Sequence, residues 1–217
     1  VSFMINSCTA KPTQQPKQNY INPENVSELV KERGAVVVDT MSYLECMDHR
    51  IPGSLCIALE EFEEKSTAAL KDKKQPVIFY CESEECPRAG QTGEKAKRLG
   101  YEDIYVLEGG LSAWKKAAKE VESIKRIKRA PVASIKSHII PRLIEEKQNL
   151  FILDIRTEDI FKKDHIKGAV NIPLYTLHKR LKEIPGNRPV LVVDENGRRS
   201  FLACCWLINN DAKDVIR

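Results

Sequence analysis

Two stretches decide the fold: Ala35-Val36-Val37-Val38-Asp39 and Leu150-Phe151-Ile152-Leu153-Asp154. Each is a short aliphatic or β-branched run closed by an aspartate, the pattern of a parallel strand buried on both faces. The two aspartates lie 115 residues apart. Twelve residues after each comes an Ile-x-Gly, Ile51-Pro52-Gly53 and Ile166-Lys167-Gly168, at the same offset. A second apolar run follows in each half, Pro76-Val77-Ile78-Phe79-Tyr80 and Pro189-Val190-Leu191-Val192-Val193. After it come a polar loop, a helical stretch (91–99 and 200–208), and then Asp103-Ile104 or Asp214-Val215. Repetition on this scale predicts a duplicated α/β domain. Strands alternating with helices predict, in each copy, a mostly parallel central sheet with helices on both faces.

Around this repeat the chain divides into a leader over 1–20, a first domain over 21–120, a linker over 121–131 and a second domain over 132–217. The leader is rich in Pro, Gln, Lys and Thr, the composition of a flexible tether. Its start, Ile5-Asn6-Ser7-Cys8, is similar to the end of a bacterial lipoprotein signal, which makes Cys8 a candidate lipid anchor and implies a periplasmic or membrane-anchored location; the alternative is a cytoplasmic protein with a stray cysteine. The linker carries Lys125-Arg126-Ile127-Lys128-Arg129, read as a solvated basic run. The second copy reaches Arg217 just after Val215, short of a counterpart to Gly109-Gly110, Trp114 and the helix around them, so it reads as C-terminally truncated.

Composition sets the outer limits. The 217 residues are 42% hydrophobic and 30% charged, which excludes collagen-like and disordered classes. No stretch approaches the ~20 apolar residues of a transmembrane helix. The net charge of +4 comes from 35 basic and 31 acidic residues, a balance that gives no reason to expect a nucleic-acid partner. Seven cysteines, at 8, 46, 56, 81, 86, 204 and 205, are too few and too scattered for a disulfide scaffold. Most are read as small buried apolar residues. Without HExxH or paired CxxC motifs, no metal is expected, and the four histidines show no ligand spacing.

The motifs resemble those of the rhodanese-like sulfurtransferase family over about residues 21–217. The second half carries Asp154-Ile155-Arg156, Phe161 and His165-Ile166-Lys167-Gly168-Ala169-Val170-Asn171-Ile172-Pro173; the first carries Tyr80-Cys81, Leu99-Gly100-Tyr101, Leu107-Glu108-Gly109-Gly110 and Trp114. The resemblance implies two rhodanese-like domains and, at Cys81, a nucleophile that accepts a sulfane sulfur and hands it to a thiophilic acceptor. A thiolate or persulfide there would be stabilised by loop N–H groups and a helix N-terminus, and no cofactor is required. His165 is expected to be a hydrogen-bonding core residue.

The active-site loop is then Cys81-Glu82-Ser83-Glu84-Glu85-Cys86-Pro87-Arg88. Pro87 suits a first helical turn. Arg88 is a candidate to lower the thiol pKa or bind an anionic donor, and Arg50, in place of the family's histidine, is a second candidate. The donor is expected to be thiosulfate, polysulfide or a persulfide; three glutamates oppose thiolate formation and an approaching thiosulfate dianion, so polysulfide or a protein persulfide is expected to be a better donor than thiosulfate. Cys86 is either a thiol that resolves the persulfide with loss of sulfide or a passive loop residue. Six residues separate Cys81 from Arg88, one too many for the phosphatase pattern. In the second copy Asp194 replaces the cysteine, while Gly197 and Arg199 keep the loop's spacing; a carboxylate cannot carry sulfane sulfur, so this half is expected to be inactive. The expected partners are a small sulfur compound or a protein persulfide or thiol. The competing reading is a non-enzymatic sulfur carrier or thiol redox module built on Cys81 and Cys86.

Overall fold

The structure, a computed structural model, describes residues 18–147 and 149–217. Cys8 lies outside the described residues.

The first domain runs β1 (Asn19–Ile21), α1 (Pro23–Arg33), β2 (Val36–Asp39), α2 (Tyr43–Asp48), β3 (Leu55–Cys56), α3 (Phe62–Ala69), β4 (Val77–Tyr80), α4 (Arg88–Arg98), β5 (Ile104–Leu107) and α5 (Gly110–Lys116). Its five strands form one parallel sheet in the order β1-β5-β4-β2-β3. Every residue of the central strand β4 is buried, which is why its sequence shows no polar alternation. Phe62 of α3 packs edge-to-face on Phe79 of β4 at 5.4 Å between ring centres.

The second domain runs α6 (Ile140–Glu146), β6 (Phe151–Asp154), α7 (Glu158–Lys163), β7 (Val170–Asn171), α8 (Leu174–Leu177), β8 (Val190–Val193), α9 (Arg198–Ile208) and β9 (Val215–Ile216). Its parallel sheet has the order β7-β6-β8-β9. Residues 133–135 extend along the outer side of β9: the Ile135 N–H donates to the Arg217 carbonyl (2.7 Å) and the Arg217 N–H to that of Ala133 (3.0 Å). They take the place that β1 has beside β5. The duplication is therefore visible in topology as well as sequence.

In register, Asp39 faces Tyr80 and Asp154 faces Val193. Cys81 and Asp194 thus leave the carboxyl ends of the two central strands at equivalent points, where ligand sites of parallel sheets are found.

The domains are joined through α2. Its first turn is closed by a capping box, with the Glu45 N–H donating to Ser42 Oγ and the Ser42 N–H to Glu45 Oε2. That fixes Leu44, which is 2% exposed and packs in the second domain's core. Tyr43 stacks on His178 at 4.1 Å between ring centres. Lys179 pairs with Glu61 at 2.8 Å. The linker is pinned here rather than solvated throughout: the Asp48 carboxylate accepts the Ile127 N–H (2.7 Å) and pairs with Arg129 (2.6 Å), while Ile127 is buried in the second core. Burial pushes the Asp48 carboxyl up, but the bonds from Arg129 and the Ile127 N–H outweigh it and hold the group below its ordinary range. The basic run reads as solvated in sequence because its anchoring aspartate lies some eighty residues upstream.

Candidate active site

Cys81 is 2% exposed and is disulfide-bonded to Cys86, with the Cα atoms 6.2 Å apart. The loop is fixed at both ends. The Cys81 and Glu82 carbonyls accept the N–H groups of Leu111 (2.8 Å) and Ser112 (2.9 Å) at the start of α5, and the Ser83 carbonyl accepts the Cys86 N–H (3.2 Å). Gly110, at φ +59°, is needed for this close approach, because a Cβ there would run into the Cys81 carbonyl. Pro87 caps α4, which begins at Arg88. Ser83 Oγ donates to Glu85 (2.6 Å), and this bond holds the exposed Glu85 carboxyl below its ordinary value. The loop therefore keeps a negative charge at its tip. Cys86 is not a bystander: its sulfur is bonded to the candidate nucleophile.

Arg88 does not point at the sulfur. Its Nε donates to the Thr40 carbonyl (3.0 Å), and its guanidinium makes a two-pronged pair with Glu60. Glu60 offsets its charge, and these contacts tie the start of α4 to the end of β2. Arg50 is also elsewhere. It pairs with Glu122 (2.6 Å) and donates to the Ser54 carbonyl (3.0 Å), joining the linker to the turn before β3. Its guanidinium is held by those partners, away from the Cys81–Cys86 loop. Beside it lies a second disulfide, Cys46–Cys56, between α2 and β3. Among the described residues only Cys204 and Cys205 keep free thiols, so the reading of most cysteines as plain apolar residues fails in the first domain and holds in the second. Both are fully buried, and burial pushes the Cys204 thiol up to about 12, an inert group.

The front motifs of the two copies differ at one decisive place. In the second domain Asp154 is paired by Arg156, whose Nε lies 3.0 Å from both carboxylate oxygens. In the first, Met41 stands there, 2% exposed, and brings no charge. Asp39 accepts the Met41 N–H (2.8 Å), but its Oδ2 has no hydrogen-bond partner. Burial pushes its carboxyl up to about 7, only partly offset by the Met41 N–H and the nearby Tyr80 hydroxyl. The expectation for His165 needs correcting as well. It does hydrogen-bond, with Nδ1 2.8 Å from the Phe161 carbonyl, but it is exposed and stacked on Phe161, because its motif lies on the outer rim of the sheet.

Asp194 shows what the equivalent of Cys81 is surrounded by. Its Oδ1 accepts the Gly197 N–H (2.7 Å), and its Oδ2 accepts those of Arg199 and Ser200 (both 3.0 Å). Three backbone donors at the start of α9 converge on one anion. Gly197, at φ +79°, supplies the left-handed turn that aims them. The Arg199 side chain faces the first domain, 3.4 Å from Glu45.

Between the domains lies a cleft of about 1340 Å³, lined on one side by Ser83, Cys86 and Arg88 and on the other by Glu158, Asn196 and Arg199. Asp48, the last residue of α2, and His49 just after it also line it, a contribution the sequence motifs did not reveal. Among the described residues no group of three or more His, Cys, Asp or Glu side chains is placed to hold a metal ion, and no helix is long and apolar enough to cross a membrane.

The comparisons with known proteins agree with this geometry. The model of the rhodanese-like domain matches twice, over residues 22–117 and 140–215. The chain belongs to the rhodanese-like domain family, and it is a tandem member of it. Among curated relatives, YrkF of Bacillus subtilis, named as a candidate sulfur carrier protein, is 34% identical over 73 residues, which is 34% of this chain and 40% of that one. A sulfurtransferase of Allochromatium vinosum is 29% identical over 77 residues, covering 36% of this chain and 72% of the relative. Among solved structures, the thiosulfate sulfurtransferase of Pseudomonas aeruginosa aligns with 91% of this chain and 40% of its own at 18% identity and a TM-score of 0.45. The chain thus spans less than half the length of some of its relatives. The family is one of sulfurtransferases.

Proposed function

We propose that this chain moves a sulfane sulfur through a persulfide on Cys81, and that its second domain is catalytically silent. Asp194 carries the reading. At the position equivalent to Cys81, three backbone N–H groups hold a carboxylate, so the loop of this fold is a ready cradle for an anion. In the first domain that position belongs to a cysteine, and a persulfide anion would occupy it between half-reactions. The Cys81 thiolate attacks the outer sulfur of the donor, the donor's remainder leaves as an anion, and a thiol or cyanide takes the sulfur. A carboxylate in the second cradle has no sulfur to exchange.

The acidic loop supports polysulfide or a persulfide as donor rather than thiosulfate. The cleft between domains is roomy enough for a protein thiol or persulfide as well as a small molecule. Two disulfides in the first domain favour an oxidising compartment, which agrees with Cys8 as a lipid anchor outside the cytoplasm. A second reading, a sulfur carrier or redox module, is favoured by the Cys81–Cys86 disulfide, which closes the nucleophile.

The test is sulfur transfer to cyanide by pre-reduced protein, followed as thiocyanate, with thiosulfate, glutathione persulfide and inorganic polysulfide as donors. Turnover with either of the last two that vanishes in Cys81→Ser supports the enzyme. A rate unchanged in that variant refutes it.

A further inference from the structure

We propose that Cys86 is the resolving thiol of the Cys81 persulfide, so that the first domain reduces sulfane sulfur to sulfide and is reset by a dithiol. The proposal rests on the persulfide reading above. Its geometry is on the loop. The turn closed by the Cys86 N–H on the Ser83 carbonyl folds the chain back and brings Cys86 Sγ into bonding distance of Cys81 Sγ. The second domain's loop, two residues shorter from Asp194 to Arg199, has no counterpart of that thiol. The extra length of the first loop therefore carries the second cysteine.

The step balances without a further reagent. Cys81–S–SH and Cys86–SH give the Cys81–S–S–Cys86 disulfide and H2S: the Cys86 sulfur attacks the Cys81 Sγ, the S–S bond to the outer sulfur breaks, and that sulfur leaves as HS⁻ with the proton Cys86 gave up. With the electrons of each S–S bond shared equally, the outer sulfur gains one electron, the Cys86 sulfur loses one, and the Cys81 sulfur, in an S–S bond before and after, is unchanged.

The two sulfurs also differ in access, which sets the direction of the return. Cys81 is buried, whereas Cys86 is partly exposed and lines the cleft. An incoming thiol meets Cys86 Sγ first and displaces Cys81 as the thiolate, the species the cradle position holds best. The second thiol of a dithiol then frees Cys86 and leaves as a disulfide. The cleft that Cys86 lines is where such a partner would reach it.

A single-turnover experiment tests this. Wild type, Cys86→Ser and Cys81→Ser are reduced with dithiothreitol, desalted, and given one equivalent of glutathione persulfide; sulfide is trapped with monobromobimane while intact mass is recorded. Wild type should release about one sulfide per chain and lose the mass of two hydrogens, with dithiothreitol restoring it. Cys86→Ser should keep the added sulfur and release sulfide at least about tenfold more slowly, because the neighbouring thiol's effective concentration is lost. Cys81→Ser gives the background. If Cys86→Ser loads sulfur and releases it as fast as wild type, or if wild type holds a stable persulfide, the resolving role is refuted while the persulfide reading stands. If neither wild type nor Cys86→Ser loads sulfur or releases sulfide above background, both fail. Circular dichroism of Cys86→Ser, whose replaced side chain is partly exposed, checks that the fold is kept.

Discussion

At the scale of single residues, two aspartates and a cysteine tell the functional story. Asp194 is legible in the sequence as the residue standing where the first copy has Cys81, because the Gly197 and Arg199 spacing around it is intact. What is not legible is that its carboxylate caps α9 with three N–H bonds. Asp194→Ala should lower stability by about 1–2 kcal/mol, the usual cost of losing an N-terminal cap, read as a fall in midpoint on chemical denaturation. Asp39 behaves in the opposite sense. Its carboxyl ordinarily titrates near 3.8 and is pushed up to about 7 in the fold, so between those values the native state holds a proton that the unfolded chain releases. Its contribution is therefore most favourable below about pH 4 and is lost as pH rises toward 7, by at most about 4 kcal/mol. Asp39→Asn should flatten that part of the stability–pH curve; a curve unchanged by the substitution would contradict the buried, unpaired carboxyl. The sequence places Met41 where the second copy has Arg156, but the consequence for Asp39 is hidden, since its 0% exposure is a tertiary fact.

At the scale of elements, the strands were readable and the partnerships were not. Runs such as Val77–Tyr80 announce buried parallel strands because every position is apolar. The repeat places Cys81 at a strand end without any structure. The pairings that reassign Arg88 to Glu60, Arg50 to Glu122 and Cys46 to Cys56 join positions 28, 72 and 10 residues apart, on different elements, and nothing in local periodicity encodes them. The role of α2 is also hidden: one six-residue helix supplies Leu44 to the other domain's core. Leu44→Ala should cost about 2–5 kcal/mol in the pairing of the domains. Hydrogen exchange should speed up in α8 and α9 while β2 and β4 stay protected; equal loss of protection throughout would argue against α2 as the joint.

For the whole molecule, one duplicated fold places a cysteine in one loop and an aspartate in the other, and the cleft between the domains is walled by both. Its charge bears on donor choice. Acidic side chains, Glu82 and Glu85 of the loop among them, slightly outnumber the basic ones lining the cleft, and the one arginine of the loop is already paired with Glu60. Thiosulfate, a dianion, should then be used less efficiently than a persulfide. Its kcat/KM should rise with ionic strength as the repulsion is screened, most steeply between low salt and about 0.15 M. A fall with salt would mean that the cleft attracts the dianion instead.

The most direct measurement of the central claim is intact mass after brief exposure of pre-reduced protein to polysulfide, with Cys86→Ser used to hold the intermediate and the site located by fragmentation. The account predicts a gain of about one sulfur atom, roughly 32 Da, located on Cys81 and absent when Cys81 is also replaced by serine. A gain located on another cysteine, or no gain at all, would contradict it.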